Sequence, residues 1–252
     1  MSLCDALCAR RRTRTSFSGR PAMVSIIIPV LNEAPNLRRL LPSLPQTCPG
    51  AEVIVVDGGS SDETVEVLQQ FPVARLVASP QGRATQMNAG AREARGEILL
   101  FLHADSLLPD GAGEVIQAAL ADPQIVGGRF DVRLDSPRPI FRVIAFFMNL
   151  RSRLTRIATG DQALFVRRPI FGMMGGYPEI PLMEDVEFTK HLKRHGKIAC
   201  LHLSVTASAR KWERDGVLRT AILMWTLRLL YFLGASPAQL HRFYYGHPPS
   251  TD

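Results

Sequence analysis

Three groups of polar residues have the types and spacing to do chemistry: Asp57, His103 with Asp105, and Glu184 with Asp185. Asp57 ends an apolar run and is followed by Gly58, Gly59, Ser60, Ser61 and Asp62. A carboxylate at a strand end, before a Gly-rich turn and a helix start, suits recognition of base or ribose N–H and O–H groups. It can equally well cap the turn. No Gly-x-Gly-x-x-Gly follows any strand and Walker A is absent, so neither a dinucleotide fingerprint nor a P-loop applies. His103 and Asp105 come directly after the most apolar strand of the chain. A carboxylate held there can ligate Mg²⁺ or Mn²⁺, which binds diphosphate oxygens and neutralises a leaving diphosphate. Glu184 and Asp185 open a helix carrying Val186, Phe188 and Leu192, where acids complement the helix dipole. As a functional pair, one of them would take the proton from an acceptor hydroxyl. Taken alone, the capping reading of this pair is the stronger.

The elements that must position these groups alternate. Residues 24–30, 52–57, 75–78 and 97–102 read as short β-branched or apolar strands, the third weaker than the rest. Helical periodicity separates them: residues from 34 carry Leu37, Leu40, Leu41 and Leu44, a second helix runs to Gln70, and a third covers 84–95. Strand and helix every 20–30 or so residues predicts βαβ units and a parallel sheet, with ligands at the carboxyl edge. The second half is less regular. It predicts a strand at 127–134, a helix at 140–157, loops over 159–185, a helix at 186–195, a strand at 197–204 and an apolar helix at 217–233.

Four ordered motifs then carry a resemblance: Ser25 to Glu33 (SIIIPVLNE), Val55 to Asp62 (VVDGGSSD), Phe101 to Asp105 (FLHAD) and Met183 to Asp185 (MED). Together they resemble the family 2 glycosyltransferases of the GT-A fold. Arg83-x-x-Gln86-Met87-Asn88-x-Gly90, Thr159 to Gln162 (TGDQ) and Arg210-x-Trp212 are similar to a subgroup of small bacterial members whose acceptors are not established. The likeness implies a single α/β domain with a mostly parallel, Rossmann-like central sheet flanked by helices. It would have a nucleotide-binding half at 23–105, an acceptor half at 106–235 and a tail at 236–252. It implies Pro29, Glu33, Asp57, Arg83, Asn88 and Ala104 at the nucleotide, and Asp105 as the principal ligand of Mn²⁺ or Mg²⁺. Asp185 would be the base of an inverting displacement, with Glu184 beside it. Gly160, Asp161, Gln162, Arg210 and Trp212 would lie by acceptor or phosphate. His103 stands where the family's Asp-x-Asp motif has its first Asp, and imidazole accepts Mn²⁺ better than Mg²⁺. The rivals are a sugar nucleotidyltransferase, disfavoured by Asn32 and Glu33 where a Gly-rich phosphate loop would stand, and a non-catalytic nucleotide-sugar module, disfavoured by the intact Glu184 and Asp185.

Composition narrows the partners. The chain has 252 residues, 46% hydrophobic and 21% charged, enough for one large domain. Of the net +7, residues 1–22 hold +4, through Arg10, Arg11, Arg12, Arg14 and Arg20 against Asp5. The remainder is only mildly basic, which argues against nucleic acid as partner. That segment has no apolar signal core and reads as a disordered basic tail, or as an extension before Met23. Four scattered cysteines predict a reduced, cytoplasmic protein; Cys4 and Cys8 have the spacing of only half a zinc site. No uncharged apolar run is long enough to span a bilayer.

Two helices bear on the acceptor, which is either a small molecule or lipid-linked. Helix 140–157 puts Val143, Phe147, Leu150, Leu154 and Ile157 on one stripe, with Arg142, Asn149, Arg153 and Arg156 a quarter turn away. The stripe is expected to face the core and the basic side the solvent, the alternative being a peripheral helix on the inner face of a membrane. Helix 217–233 is apolar nearly all round and should be buried, in a homodimer, against the domain, or partly in membrane.

Overall fold

The computed structural model describes residues 22–246, so the expected basic tail falls outside the described residues except for Ala22, and Cys4 and Cys8 with it. Ile26, Ile27 and Ile28 of β1 (Val24–Val30) are fully buried on both faces of the sheet. Removing each such side chain from water contributes about 1.5–3 kcal/mol. From β1 the chain runs through α1 (Ala34–Leu40), a 3-10 turn at Leu41–Ser43 and α2 (Leu44–Thr47). Pro42 and Pro45 break what the leucine spacing alone reads as one helix, while Leu37, Leu40, Leu41 and Leu44 all stay in the core. Then follow β2 (Glu52–Asp57), α3 (Thr64–Gln69), β3 (Ala74–Ala78), α4 (Arg83–Glu93) and β4 (Ile98–Phe101). These strands and helices stand within a few residues of where hydrophobic periodicity puts them.

The second half contains β5 (Ser106–Leu107), α5 (Ala112–Leu120), β6 (Ile125–Leu134), α6 (Pro139–Thr155), β7 (Leu164–Arg167) and α7 (Arg168–Met173). It ends with α8 (Glu184–Leu192), β8 (Lys197–Ala207), α9 (Arg210–Asp215), α10 (Val217–Phe232) and α11 (Pro237–Tyr245). The stretch expected to be loop-rich also holds β7 and α7. The expected C-terminal tail holds α11, whose Ser236 accepts from the Gln239 N–H in a capping box with Pro237 in the first turn.

One eight-stranded sheet runs β3-β2-β1-β4-β7-β6-β8-β5. β3, β2, β1 and β4 are mutually parallel, β7 is antiparallel to both β4 and β6, β6 and β8 are parallel, and β5 is antiparallel to β8. The chain moves outward from β1 to β3 and then returns to the other side of β1 with β4. That reversal opens a crevice at the carboxyl ends of β1 and β4, the place where open α/β sheets take ligands. Helix α4 crosses β1 and β2 at Gly90, where a Cβ would lie 2.5 Å from Ile27 and 2.8 Å from Val56. Only glycine permits that approach.

Candidate active site

The loops leaving β1 and β2 are locked together. Asn32, at φ 56°, holds a left-handed backbone that Asn tolerates better than most residues. Its side-chain oxygen accepts from the N–H groups of Ser61 (2.8 Å) and Asp62 (3.3 Å), and its own N–H donates to Ser60 Oγ at 2.8 Å. Gln86 of α4 donates to carbonyls near the ends of both strands, Val30 (2.8 Å) and Val56 (2.9 Å). Asp57 accepts from the N–H groups of Gly59 and Ser60 and from Ser60 Oγ, and is buried. Of its two readings, the turn cap is the one these bonds display.

On the β4 side, Asp105 lines a cleft of about 620 Å³ together with Arg83, His103, Asp161, Glu184 and Asp185. Met183 caps the start of α8 at φ 69°, a strained conformation for a non-glycine residue. It delivers Glu184, which is buried and 3.5 Å from Arg83, and Asp185, which opens on the cleft. Asp185 accepts from the Gly160 N–H at 2.9 Å and from the Val186 N–H at 2.7 Å. Burial first, then the neighbouring Glu184 and Asp161 carboxylates, lift its pKa to about 6 against the pull of the Gly160 bond and Arg83. His103 packs against the same loop: a Cβ on Gly160 would sit 2.3 Å from its Nε2. Burial and the nearby Arg83 charge depress its pKa, so the imidazole is neutral at pH 7. On the donor side of Asp105, burial raises the Glu33 pKa, the Asn36 amide bonded to Glu33 opposes it, and the Asp105 charge adds to the rise. Arg210 donates to Asn36 at 2.8 Å, closing that cluster.

Comparison with known proteins decides the family. The model of glycosyl transferase family 2 matches residues 25–176, more than half of the chain. The chain belongs to glycosyltransferase family 2. It is 38% identical over 166 residues to a PGL/p-HBAD biosynthesis glycosyltransferase of Mycobacterium bovis (strain BCG / Pasteur 1173P2), covering 62% of this chain and 63% of that protein. It is 30% identical over 185 residues to the glycosyltransferase AglE of Haloferax volcanii, covering 66% and 60%. The match therefore spans somewhat under two thirds of these relatives' length. Among solved structures, S. aureus TarS 1-349 in complex with UDP-GlcNAc superposes with a TM-score of 0.60 at 21% identity, over 74% of this chain and 58% of that one. The mannosyltransferase PcManGT from Pyrobaculum calidifontis, in complex with GDP-Man and Mn²⁺, gives 0.57 at 24%, over 75% and 57%. These likenesses bear on the fold, which is the expected GT-A arrangement.

Within this family member, the expected site residues divide. Arg83, His103, Asp105, Asp161, Trp212, Glu184 and Asp185 share the cleft, and Gly160 holds Asp185. Glu33 and Arg210 are not among the residues lining it, although the Asp105 and Arg210 charges both act on Glu33. Pro29 lies within β1 opposite Val56, and Ala104 is buried between His103 and Asp105. Asn88, expected at the nucleotide, is buried, and its amide spans the Tyr177 backbone, donating to the carbonyl at 2.9 Å and accepting from the N–H at 2.8 Å. It clamps the loop before α8 instead. Gln162, expected near acceptor or phosphate, is fully buried and bonds the Thr159 N–H and Asn149. Its work is local too.

A divalent cation was implied at Asp105. Among the described residues no three metal-ligating side chains converge. A cation that takes most of its ligands from a diphosphate and water needs only one or two carboxylates from the protein. An open Asp105 beside a neutral His103 fits that smaller demand.

Helix α6 overturns its sequence reading, and α10 excludes one of the three placements expected for it. The stripe expected to face the core is exposed, with Val143 49%, Phe147 54% and Leu154 76% accessible. Arg142 is exposed as expected, but the rest of the supposedly solvated side reaches the sheet: Asn149 bonds both backbone groups of Val132, Arg153 pairs with Asp131, and Arg156 donates to the Ile198 carbonyl. These polar groups face the sheet because β6 and β8 offer unsatisfied carbonyls and the buried Arg129–Asp131 pair there. Helix α10 is not buried against the domain either; only Thr220 and Leu227 are, while Leu218, Trp225 and Phe232 stand out. Among the described residues no helix is long and apolar enough to cross a membrane. Sequence reasoning missed Arg151, Lys211, Arg228 and Tyr244, all of which line the cleft. Arg151 was legible as the one cation one turn beyond Phe147, at the margin of the apolar stripe.

Proposed function

We propose that this family member transfers a sugar from a nucleotide-diphosphate donor of UDP or GDP type to an acceptor hydroxyl, inverting the anomeric centre. The observation that carries the reading is that Asp185, oriented by the Gly160 N–H and with a pKa near 6, faces the same cleft as Asp105. A base with that pKa is ionised at neutral pH yet still basic enough to accept a proton. Asp185 takes the hydroxyl proton as the acceptor oxygen bonds to the anomeric carbon. The bond to the diphosphate breaks on the opposite side, and its electron pair leaves with the diphosphate. In this reading Glu33 and Arg210, joined through Asn36, would meet the nucleoside, and Arg83 would meet the diphosphate charge. When bound at Asp105, with His103 adjacent, Mn²⁺ or Mg²⁺ supplies positive charge against the departing diphosphate. The complexes of TarS with UDP-GlcNAc and of PcManGT with GDP-Man support a donor of this class.

A thermal-shift panel of UDP, GDP and dTDP sugars, with and without Mn²⁺, tests the donor, since a ligand of the native state raises the melting temperature. One nucleotide sugar is expected to stabilise the protein more with Mn²⁺ than without. No stabilisation by any of them, with donor hydrolysis also absent, would sink the proposal.

A further inference from the structure

The cleft continues past the catalytic pair to a wall built by α6 and α10, and there its chemistry changes. Arg151 enters from α6 and Arg228 from α10. The Arg151 Nε and Nη2 are shielded from solvent and hydrogen-bond nothing among the described residues. A guanidinium that has lost water and gained no partner is costly to hold. Burial, and then the Arg228 charge, pull its pKa down to about 10, with Asp161 and Asp185 opposing. Thr220 Oγ1, eight residues before Arg228 on α10 and so on the same face, is also buried without a partner. Arg228 makes no ion pair among the described residues. Two neighbouring cations with unused donors form half of an anion site, and a guanidinium fork matches phosphate oxygens pairwise.

The walls around this charge are apolar. Val143, Ile144 and Phe147 of α6 face Met224 and Trp225 of α10 across the cleft. The apolar surface runs on outside it through Phe146 (60% exposed), Ile222 (57%) and Phe232 (85%). A continuous uncovered surface of this kind marks an interaction site. Arg151 and Arg228 make this end of the cleft cationic, which favours an anionic partner over a second copy of this basic chain.

We propose that the acceptor half binds a phosphate ester carried on a long alkyl or polyprenyl chain. The phosphate sits on Arg151 and Arg228 and the chain lies along α6 and α10. That the same molecule presents its hydroxyl to Asp185 is the part resting on the transferase reading.

The two tryptophans of the chain, Trp212 and Trp225, both line the cleft, so intrinsic fluorescence reports on this site alone. The full-length protein is titrated with dodecyl phosphate below its micellar concentration, with dodecyl maltoside, and with inorganic phosphate. Dodecyl phosphate is expected to give a saturable blue shift, weakened at least tenfold in Arg151→Gln and in Arg228→Gln. Calorimetry should find nucleotide-sugar affinity unchanged in both variants, which relieve rather than create a buried charge. Three results overturn the proposal: equal binding of dodecyl phosphate by the variants, an equal response to dodecyl maltoside, or inorganic phosphate binding as tightly as its dodecyl ester. A stable dimer by sedimentation, with tryptophans already shielded and unresponsive, overturns it in favour of a second copy. If no nucleotide sugar binds while the arginine-dependent shift persists, the transferase reading falls and this site stands.

Discussion

Replacing Asp185 by Asn should move activity and stability in opposite directions. The wild-type carboxyl is held at about 6 against an ordinary 3.8, because the fold buries it beside Glu184 and Asp161. A carboxyl with a raised pKa binds its proton more tightly in the native state than in the unfolded one. Ionising it therefore costs stability, starting as pH climbs past 3.8 and reaching the full amount above about 6. The rise corresponds to at most ~3 kcal/mol, and the opening to the cleft reduces this to about 1–2 kcal/mol. Asparagine keeps the shape, and its amide oxygen can still accept from the Gly160 N–H, but it carries no charge. Urea denaturation should find Asp185→Asn more stable than wild type by about 1–2 kcal/mol at pH 7.5 and equal to it near pH 4. Sugar transfer should fall by roughly 10²–10⁴-fold, the usual worth of a general base. A variant no more stable at pH 7.5, or one whose advantage grows toward pH 4, would refute the electrostatic account. Undiminished turnover would remove Asp185 from the role of base.

The pH profile of wild-type kcat/KM should fall tenfold per pH unit below about 6. In Glu184→Gln that acid limb should move to lower pH, since one of the two charges that add to burial in raising Asp185 is gone; a limb that stays put or moves up contradicts this. Asp105→Ala should lose the Mn²⁺-dependent part of nucleotide affinity in calorimetry, and equal affinities with and without Mn²⁺ in both proteins would remove the metal from Asp105. Gly160→Ala forces a methyl group onto His103 and should cost about 1–3 kcal/mol in thermal denaturation. His103→Ala in the same chain should recover most of that loss. Asn88→Ala, by freeing two backbone groups of Tyr177, should lower stability by about 2–3 kcal/mol while leaving nucleotide affinity in place. A selective loss of affinity with unchanged stability would return Asn88 to the nucleotide.

The first half was legible because β1, β2 and β4 are buried on both faces. Val24–Val30 and Glu52–Asp57 are dominated by Val and Ile, and their boundaries in the structure coincide with those of the sequence pattern. Strand β7 was not, since four residues between a 3-10 turn and α7 leave no periodicity to count. The stripe on α6 was visible and its direction misjudged. Apolar residues usually point inward, but here Asn149, Arg153 and Arg156 had backbone carbonyls and a buried acid to satisfy. The site divides in the same way. The strand ends were legible from the apolar runs, whereas the bonds of Asn88 and Gln162 to the Tyr177 and Thr159 backbone had no local pattern to announce them. Arg151 and Arg228 reach the cleft only through a helix pairing that no local pattern encodes.

How α6 is fastened matters for whatever it meets. A helix seated on grease can roll a few degrees at little cost, because dispersion contacts have no direction. Here Asn149 grips Val132 at two points, and Arg153 reaches Asp131 together with the carbonyls of Cys200 and Leu201. Rotation would break several of these bonds at once. The helix is keyed like a shaft in a slot, and the heading of its bare outer face is set by the sheet before any visitor arrives.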